Sequence, residues 1–297
     1  MRIIVTGREG QVLQSLLERG RRAGHEVIAL GRPDLDLAAA TTAIANAIAS
    51  ARPDAVVSAA AYTAVDKAED EPELAYAINA RGASAVARAA SDLDVPLVHL
   101  STDYVFSGCK ASAYTEDDPT DPVSVYGASK LAGEEAVLSA HDGAAILRTA
   151  WVYSPFGANF VTTMLRLAES RDEVSVVADQ LGNPTSAFDI ADAVIEILAR
   201  LGASSDPQLR GIFHMTGQGE TSWAGFAEAI FSASEALGGA AASVRPIGTS
   251  EYPTKARRPA NSRLDNSKLA KTYGLRLPSW QDSLQSVVAR LVPARAE

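Results

Sequence analysis

Tyr126-Gly127-Ala128-Ser129-Lys130 carries a phenol and an ammonium four residues apart. On a helix that spacing puts both groups on one face. A second set, Ser101-Thr102-Asp103, follows the apolar stretch that begins at Leu97. It falls where a strand would end, the edge at which open α/β sheets bind ligands. Thr102, Tyr126 and Lys130 together suit the reduction of a ketone, which needs a hydride on carbon and a proton on oxygen. A free phenol has a pKa of about 10 and is a poor partner near neutral pH. Lys130 and the positive nicotinamide of an oxidised cofactor are therefore expected to favour the phenolate of Tyr126 and lower that value. Lowering by roughly three pH units corresponds to about 4 kcal/mol of charge stabilisation. Thr102 is expected to donate a hydrogen bond to the carbonyl oxygen as charge develops.

The elements that must hold this set alternate along the chain. Residues 2–6 read as a short, β-branched, buried strand closed by Gly7. Val12, Leu13, Leu16 and Leu17 repeat at helical spacing, and Gly24 ends that helix. Strands are expected at 25–30, 55–58, 97–101 and 144–149, with helices at 37–51, 72–90 and 123–139. Strand–helix alternation implies parallel strands with helical crossovers on both faces. After Thr149 the pattern loosens. Helices are expected at 158–171, 187–201, 222–237, 266–273 and 279–291. Short strands are expected at 174–177 and 243–245, and residues 212–215 are expected to return to the sheet. The fold class is thus α/β: a Rossmann-type doubly wound parallel sheet with a smaller C-terminal α/β substrate lobe. Residues 1–150, with parts of 186–215, would form the nucleotide-binding domain. Residues 151–185 and 216–297 would form the lobe.

Gly7-Arg8-Glu9-Gly10 occupies the first strand-to-helix turn. Glycines there let the backbone turn sharply and approach a pyrophosphate seated on the helix N-terminus. The usual third glycine is absent, because Leu13 stands in its place. The second strand ends Leu30-Gly31-Arg32 rather than on an acidic residue. An acidic side chain would bind the ribose 2′-hydroxyl of NAD, whereas Arg32 suits a 2′-phosphate and so NADP. Arg32 equally suits open solvent. Asp36 and Leu37 are placed to meet the adenine.

Composition excludes several classes. The 297 residues include 27 basic and 36 acidic side chains, for a net charge of −9. That balance disfavours nucleic acid and anionic membranes as partners. The single cysteine, Cys109, excludes an intramolecular disulfide and a cysteine-based zinc cage. The four histidines show no metal-binding spacing. The N-terminal apolar run is too short for a signal peptide, and no stretch approaches the ~20 residues of a membrane span. A cytoplasmic, reduced protein is expected.

The motifs resemble the extended short-chain dehydrogenase/reductases over nearly the whole chain. The resemblance is carried by Gly7-x-x-Gly10-Gln11, Ala59-Ala60-Ala61-Tyr62-Thr63, Asn79-Ala80, Ser101-Thr102-Asp103-Tyr104-Val105-Phe106 and Tyr126 through Glu134. It continues through Arg148-Thr149-Ala150-Trp151, Gln180-Leu181-Gly182-Asn183-Pro184-Thr185 and Arg258-Pro259-Ala260-Asn261-Ser262-Arg263-Leu264. The last segment and Ser-Thr-Asp-Tyr-Val-Phe are the more specific ones, shared with reductases of nucleotide-linked keto sugars. The resemblance implies NADPH as cofactor, with NADH left open beside it. It implies reduction of the 4-keto group of dTDP-4-dehydro-L-rhamnose, giving dTDP-L-rhamnose. It places Gly10, Gln11 and Val12 on the cofactor phosphates, and Ala61, Tyr62 and Thr63 near the ribose and nicotinamide. Tyr126 would be the proton donor, and Lys130 would hold the nicotinamide ribose. Thr102 and Asp103 would contact the sugar, Trp151 would pack on it, and Arg258 would support its nucleotide end. Ser15 stands where magnesium-bridged dimers of the family carry a glutamate, and a serine is a poor replacement on a hard cation. No magnesium requirement and a monomer or weak homodimer are therefore expected. Two other readings share these residues. One is a reductase of another dTDP-4-keto-6-deoxyhexose. The other is a non-catalytic NADP-binding subunit, similar to the regulatory subunit of methionine adenosyltransferase, which would not need Tyr126 and Lys130.

Overall fold

The computed structural model describes residues 1–292. Residues 293–297, the end of the expected C-terminal lobe, lie outside the described residues. The chain runs β1 (Arg2–Thr6), α1 (Gln11–Arg22), β2 (Glu26–Leu30), α2 (Thr41–Ser50), β3 (Ala55–Ser58), α3 (Val65–Ala68) and α4 (Pro72–Tyr76). It continues through a π-helical turn (Ala77–Gly82), α5 (Ala83–Asp92), β4 (Leu97–Thr102), α6 (Val125–Ala140), β5 (Ala145–Thr149) and β6 (Val152–Tyr153). Then come α7 (Phe160–Ala168), β7 (Glu173–Val177), β8 (Leu181–Gly182), β9 (Thr185–Ser186) and α8 (Ala187–Ala203). The described chain closes with β10 (Gly211–His214), β11 (Thr221–Ser222), α9 (Trp223–Ala236), β12 (Ser243–Ile247), α10 (Ser267–Tyr273) and α11 (Trp280–Leu291).

Six strands form one sheet in the order β10-β5-β4-β3-β1-β2, every pair parallel. Parallel strands need crossovers, and the crossovers cover both faces. One face packs Ile3, Val5, Val57, Val98 and Leu147 against α1, α8 and α10. The other packs Val56, Leu97 and Ile146 against α2, α5 and α6. Residues alternate between these two clusters along each strand, which is why β1, β3, β4 and β5 read as unbroken apolar runs. The order reverses at β1, with β2 on one side and β3 on the other. That switch point opens a crevice at the carboxyl ends of the strands. A third cluster gathers Tyr153, Val161, Val174, Phe226, Ile230, Trp280 and Val287 from β6, α7, β7, α9 and α11. Here β7 and β12 pair in parallel, away from the main sheet.

Two expected helices differ from their sequence reading. The one expected at 37–51 starts only at Thr41, because Asp36 Oδ1 accepts the N–H of Ala38 at 2.9 Å and holds a turn there. The one expected at 72–90 divides into α4, the π-helical turn and α5. Helix α3 is an additional element that apolar periodicity does not show in four residues. Helix α10 docks on the main sheet through Leu269 and Tyr273. Among the described residues, no helix is long and apolar enough to cross a membrane.

Helix α6 lies unusually close to its neighbours. A Cβ on Gly133 would fall 2.1 Å from Asn79 O, and one on Gly127 would fall 2.2 Å from Tyr104 O. Backbone atoms cannot yield as a flexible side chain does. Gly133→Ala is therefore expected to destabilise the fold by about 1–3 kcal/mol, read as a lower midpoint in urea unfolding.

Candidate active site

Helix α6 is capped by Ser124, whose side chain accepts the N–H of Gly127 at 3.1 Å. Glu69 reaches the same end and accepts the N–H of Val125 at 2.8 Å. This fixes Tyr126 in the first turn, beside the end of β4. Thr102 and Asp103 leave that strand and are buried, as is Lys130. The structure therefore brings Thr102, Asp103, Tyr126 and Lys130 into one region.

Their electrostatics depart from the expectation. Burial pushes the Tyr126 phenol up to about 12, while the nearby Thr102 hydroxyl pulls it down and Asp103 pushes it further up. Lys130 does not offset this. Its Nζ donates to Leu100 O at 2.7 Å and lies 3.4 Å from His99 Nε2. Burial lowers the ammonium to about 8, against a raising effect from Glu134. His99, buried beside it, is held well below its usual value by burial and then by Lys130. The expected lowering of the phenol by Lys130 is thus corrected for the protein alone: desolvation wins, and Tyr126 keeps its proton. That is the state a proton donor requires.

The base of this region is a buried ion pair that the sequence reading left without a role. Arg148 of β5 donates to both oxygens of Glu134 on α6, through Nε to Oε1 at 2.9 Å and Nη2 to Oε2 at 2.7 Å. Ser101 Oγ adds a bond to Glu134 Oε1 at 2.5 Å. Three elements meet in this pair, one turn beyond Lys130. Asn79 does similar work above it. It sits in the π-helical turn, accepts the N–H of Tyr62 at 2.7 Å, and donates to Ser129 Oγ at 2.9 Å. Such turns recur at functional sites, and the Asn79-Ala80 motif was its only signal in the sequence.

The cofactor-side residues gather at the switch point. A cleft of about 540 Å³ is lined by Gly7, Arg8, Gly31, Arg32, Asp36, Leu37, Ala61 and Tyr62, among others. Gly7 takes φ +114°, a conformation side chains rarely adopt. Gly10 caps α1 with extended backbone and no side-chain bond, which leaves the helix N-terminus open to an anion. Cleft volume, uncapped helix end and exposed Arg32 fit a dinucleotide. The other expected cofactor residues fit differently. Gln11 spends its side chain on Val152 O at 3.4 Å and on the Ser154 hydroxyl, which donates to Gln11 Oε1 at 2.9 Å. Val12 packs against the sheet core. Thr63 is exposed, one residue beyond the lining.

A second cavity, of about 610 Å³, lies beside the third apolar cluster. Arg171, Arg245 and Arg258 line it together with Phe160, Trp223 and Tyr252. Arg258 pairs with Asp66 of α3 at 2.7 Å. Trp151, at φ +47°, stacks on Trp223 with ring centroids 3.6 Å apart. Trp223, Tyr252 and Arg245 were not singled out from the sequence, since single residues on separate elements make no motif. Among the described residues, no group of three or more His, Cys, Asp or Glu is placed to hold a metal. Ser15 is buried and donates to Gln11 O at 2.9 Å.

Comparison with known proteins fits this arrangement. The family described as "RmlD substrate binding domain" matches residues 1–292. A dTDP-4-dehydrorhamnose reductase of Sinorhizobium fredii is 54% identical over 98% of both chains. The chain belongs to the dTDP-4-dehydrorhamnose reductase family. A Burkholderia thailandensis reductase of that name is 45% identical over 95% of this chain and 96% of its own. Among solved structures, the Bacillus anthracis dTDP-4-dehydrorhamnose reductase in complex with NADP superposes with a TM-score of 0.90. It shares 36% identity, covering 97% of this chain and 99% of the other. Family membership and the α/β architecture agree with the sequence reading.

Replacing Glu134 by Gln leaves the Arg148 guanidinium buried without its counter-charge. Breaking such a pair costs about 3–5 kcal/mol. Urea unfolding of Glu134→Gln is expected to show a loss of that order.

Proposed function

We propose that the chain reduces the 4-keto group of dTDP-4-dehydro-L-rhamnose with NADPH, giving dTDP-L-rhamnose. The observation that carries this reading is the half-buried Tyr126, its phenol pushed up to about 12 and kept protonated beside Thr102 at the end of β4. The dinucleotide would lie in the cleft along Gly7, Gly10, Arg32, Asp36, Leu37, Ala61 and Tyr62. The main-chain amides at Gln11 and Val12 would face its phosphates. When bound, the reduced nicotinamide supplies the hydride. Tyr126 holds the proton at its Oη and gives it to the carbonyl oxygen. Thr102 lends a hydrogen bond to that oxygen as its charge grows. Lys130, a cation below about pH 8, favours the phenolate left behind and turns to the ribose when the cleft fills. Trp151, stacked on Trp223, forms an apolar wall for the sugar. Arg258, with Arg171 and Arg245, supplies the positive field for a diphosphate in an otherwise acidic protein. We read residues 1–150 with parts of 186–215 as the NADP-binding domain, and 151–185 with 216–297 as the substrate lobe. Because Ser15 is buried and internally bonded, we also read the enzyme as metal-independent and as a monomer or weak homodimer.

The decisive assay follows NADPH absorbance on adding the keto sugar, in EDTA and then with magnesium. Rapid loss in EDTA is expected. Tyr126→Phe is expected to slow turnover by about 10²–10⁴-fold while still binding NADPH. Undiminished turnover in that variant would refute the mechanism. Folded protein that binds NADPH but never consumes it, under either condition, would favour another keto sugar or a non-catalytic subunit.

Arg32 supplies a separate test. If it meets the 2′-phosphate, Arg32→Ala weakens NADPH about tenfold or more and leaves NADH affinity unchanged in a fluorescence titration. Equal effects on both cofactors would remove Arg32 from that role.

A further inference from the structure

Thr102 has one hydroxyl hydrogen, and the structure already gives it an acceptor. Thr102 Oγ1 donates to Asp103 Oδ1 at 2.9 Å and accepts the N–H of Tyr104 at 3.2 Å. Both side chains are buried, Thr102 at 6% and Asp103 at 3% exposure. An ionised carboxyl can only accept hydrogen bonds. While Asp103 is ionised, Thr102 points its hydrogen at Asp103 and offers a substrate oxygen only a lone pair. That polarity is wrong for stabilising a growing oxyanion. A protonated Asp103 reverses the bond. Its O–H donates to Thr102 Oγ1, and the Thr102 hydrogen is released toward the substrate.

We propose that Asp103 is a positioning residue that sets the direction of the Thr102 hydrogen bond, and that reduction proceeds with Asp103 protonated. This rests on the 4-keto-reduction reading. No bond to carbon changes in the step: one proton is taken from solvent onto the carboxyl, and two hydroxyl hydrogens reorient.

The surroundings of Asp103 favour the protonated form. Its Oδ2 is buried with no hydrogen-bond partner, a costly position for a carboxylate oxygen. Burial pushes the carboxyl up to about 6, against smaller lowering effects from the Ser262 and Thr102 hydroxyls and the N–H groups of Asp103 and Tyr104. The neighbouring cations are all engaged elsewhere. On α6, Lys130 is turned to Leu100 O and His99. On β5, Arg148 is held by Glu134. In the late segment, Arg258 pairs with Asp66, and Arg263 pairs with Glu220. The two facing phenols, Tyr104 and Tyr126, are both raised by burial and stay neutral. A sugar that displaces water from the site would raise the carboxyl further.

The sign follows directly. Asp103 carries its proton below its pKa, so turnover is highest there and falls as pH rises through it. Rates are measured from pH 5.5 to 9 for the wild type, Asp103→Asn and Thr102→Val. In the wild type, kcat/KM, which reports the free enzyme, is expected to fall about tenfold or more between pH 6 and 7.5. Asp103→Asn cannot titrate, and its amide can donate to Thr102, so its kcat/KM should change less than about twofold over that interval. The further decline above pH 8, set by Lys130, should remain. If Asp103→Asn keeps the wild-type slope, or only raises KM, Asp103 merely binds sugar and the proposal fails. A second arm needs no turnover: the Asp103 carboxyl is titrated by ¹³C NMR in the wild type and in Thr102→Val. Losing the hydroxyl donor should raise the carboxyl pKa, and an unmoved value overturns the proposal. A wild type that consumes no NADPH refutes the reduction reading alone, and the NMR arm still decides the hydrogen bond.

Discussion

The site depends on how closely helix α6 approaches the main chain around it. Gly127 lies against Tyr104 and Gly133 against Asn79, at separations that leave no room for a methyl group. The first contact sets Tyr126 against the Thr102–Asp103 turn. The second presses the helix on the π-helical turn that holds Tyr62. The Glu134–Arg148 pair locks the helix to the sheet immediately after the second contact. A buried pair of this kind adds little net stability, but it tolerates only one placement of its partners.

Burial then decides the chemistry. The same exclusion of water raises Tyr126 and Asp103 and lowers Lys130 and His99. Every one of these shifts favours the neutral form. Near neutral pH the charges left in the region are Lys130, the part-ionised Asp103 and the paired Glu134 and Arg148. In such surroundings a proton moved by one hydrogen bond counts for more than it would in water.

Much of this was legible in the sequence. Parallel strands buried on both faces leave continuous apolar runs, so β1, β3, β4 and β5 could be read directly. The Tyr126–Lys130 spacing and the turn after β4 pointed to residues that the structure brings into one region, because both are local patterns. Long-range features were not legible. The direction of the Lys130 side chain depends on Leu100 O and His99, some thirty residues away. The partner of Arg258 is Asp66, 192 residues distant. The Trp151–Trp223 stack joins elements that share no motif. The 72–90 helix looked uniform because a π-helical turn keeps the apolar pattern while changing the backbone bonding.

The side chain of Gln11 has a consequence for engineering. It begins in the first turn of α1 and ends on Val152 and Ser154, shortly after Trp151. Gln11 is thus one polar strut between the first turn of α1 and the chain after β5, alongside the Arg258–Asp66 pair. A chimaera that joins residues 1–150 of this chain to the later residues of a relative would cut the strut unless residues 11 and 154 are matched. The natural seam for recombination therefore does not lie at the end of β5, where the chain changes character, but on either side of this matched pair.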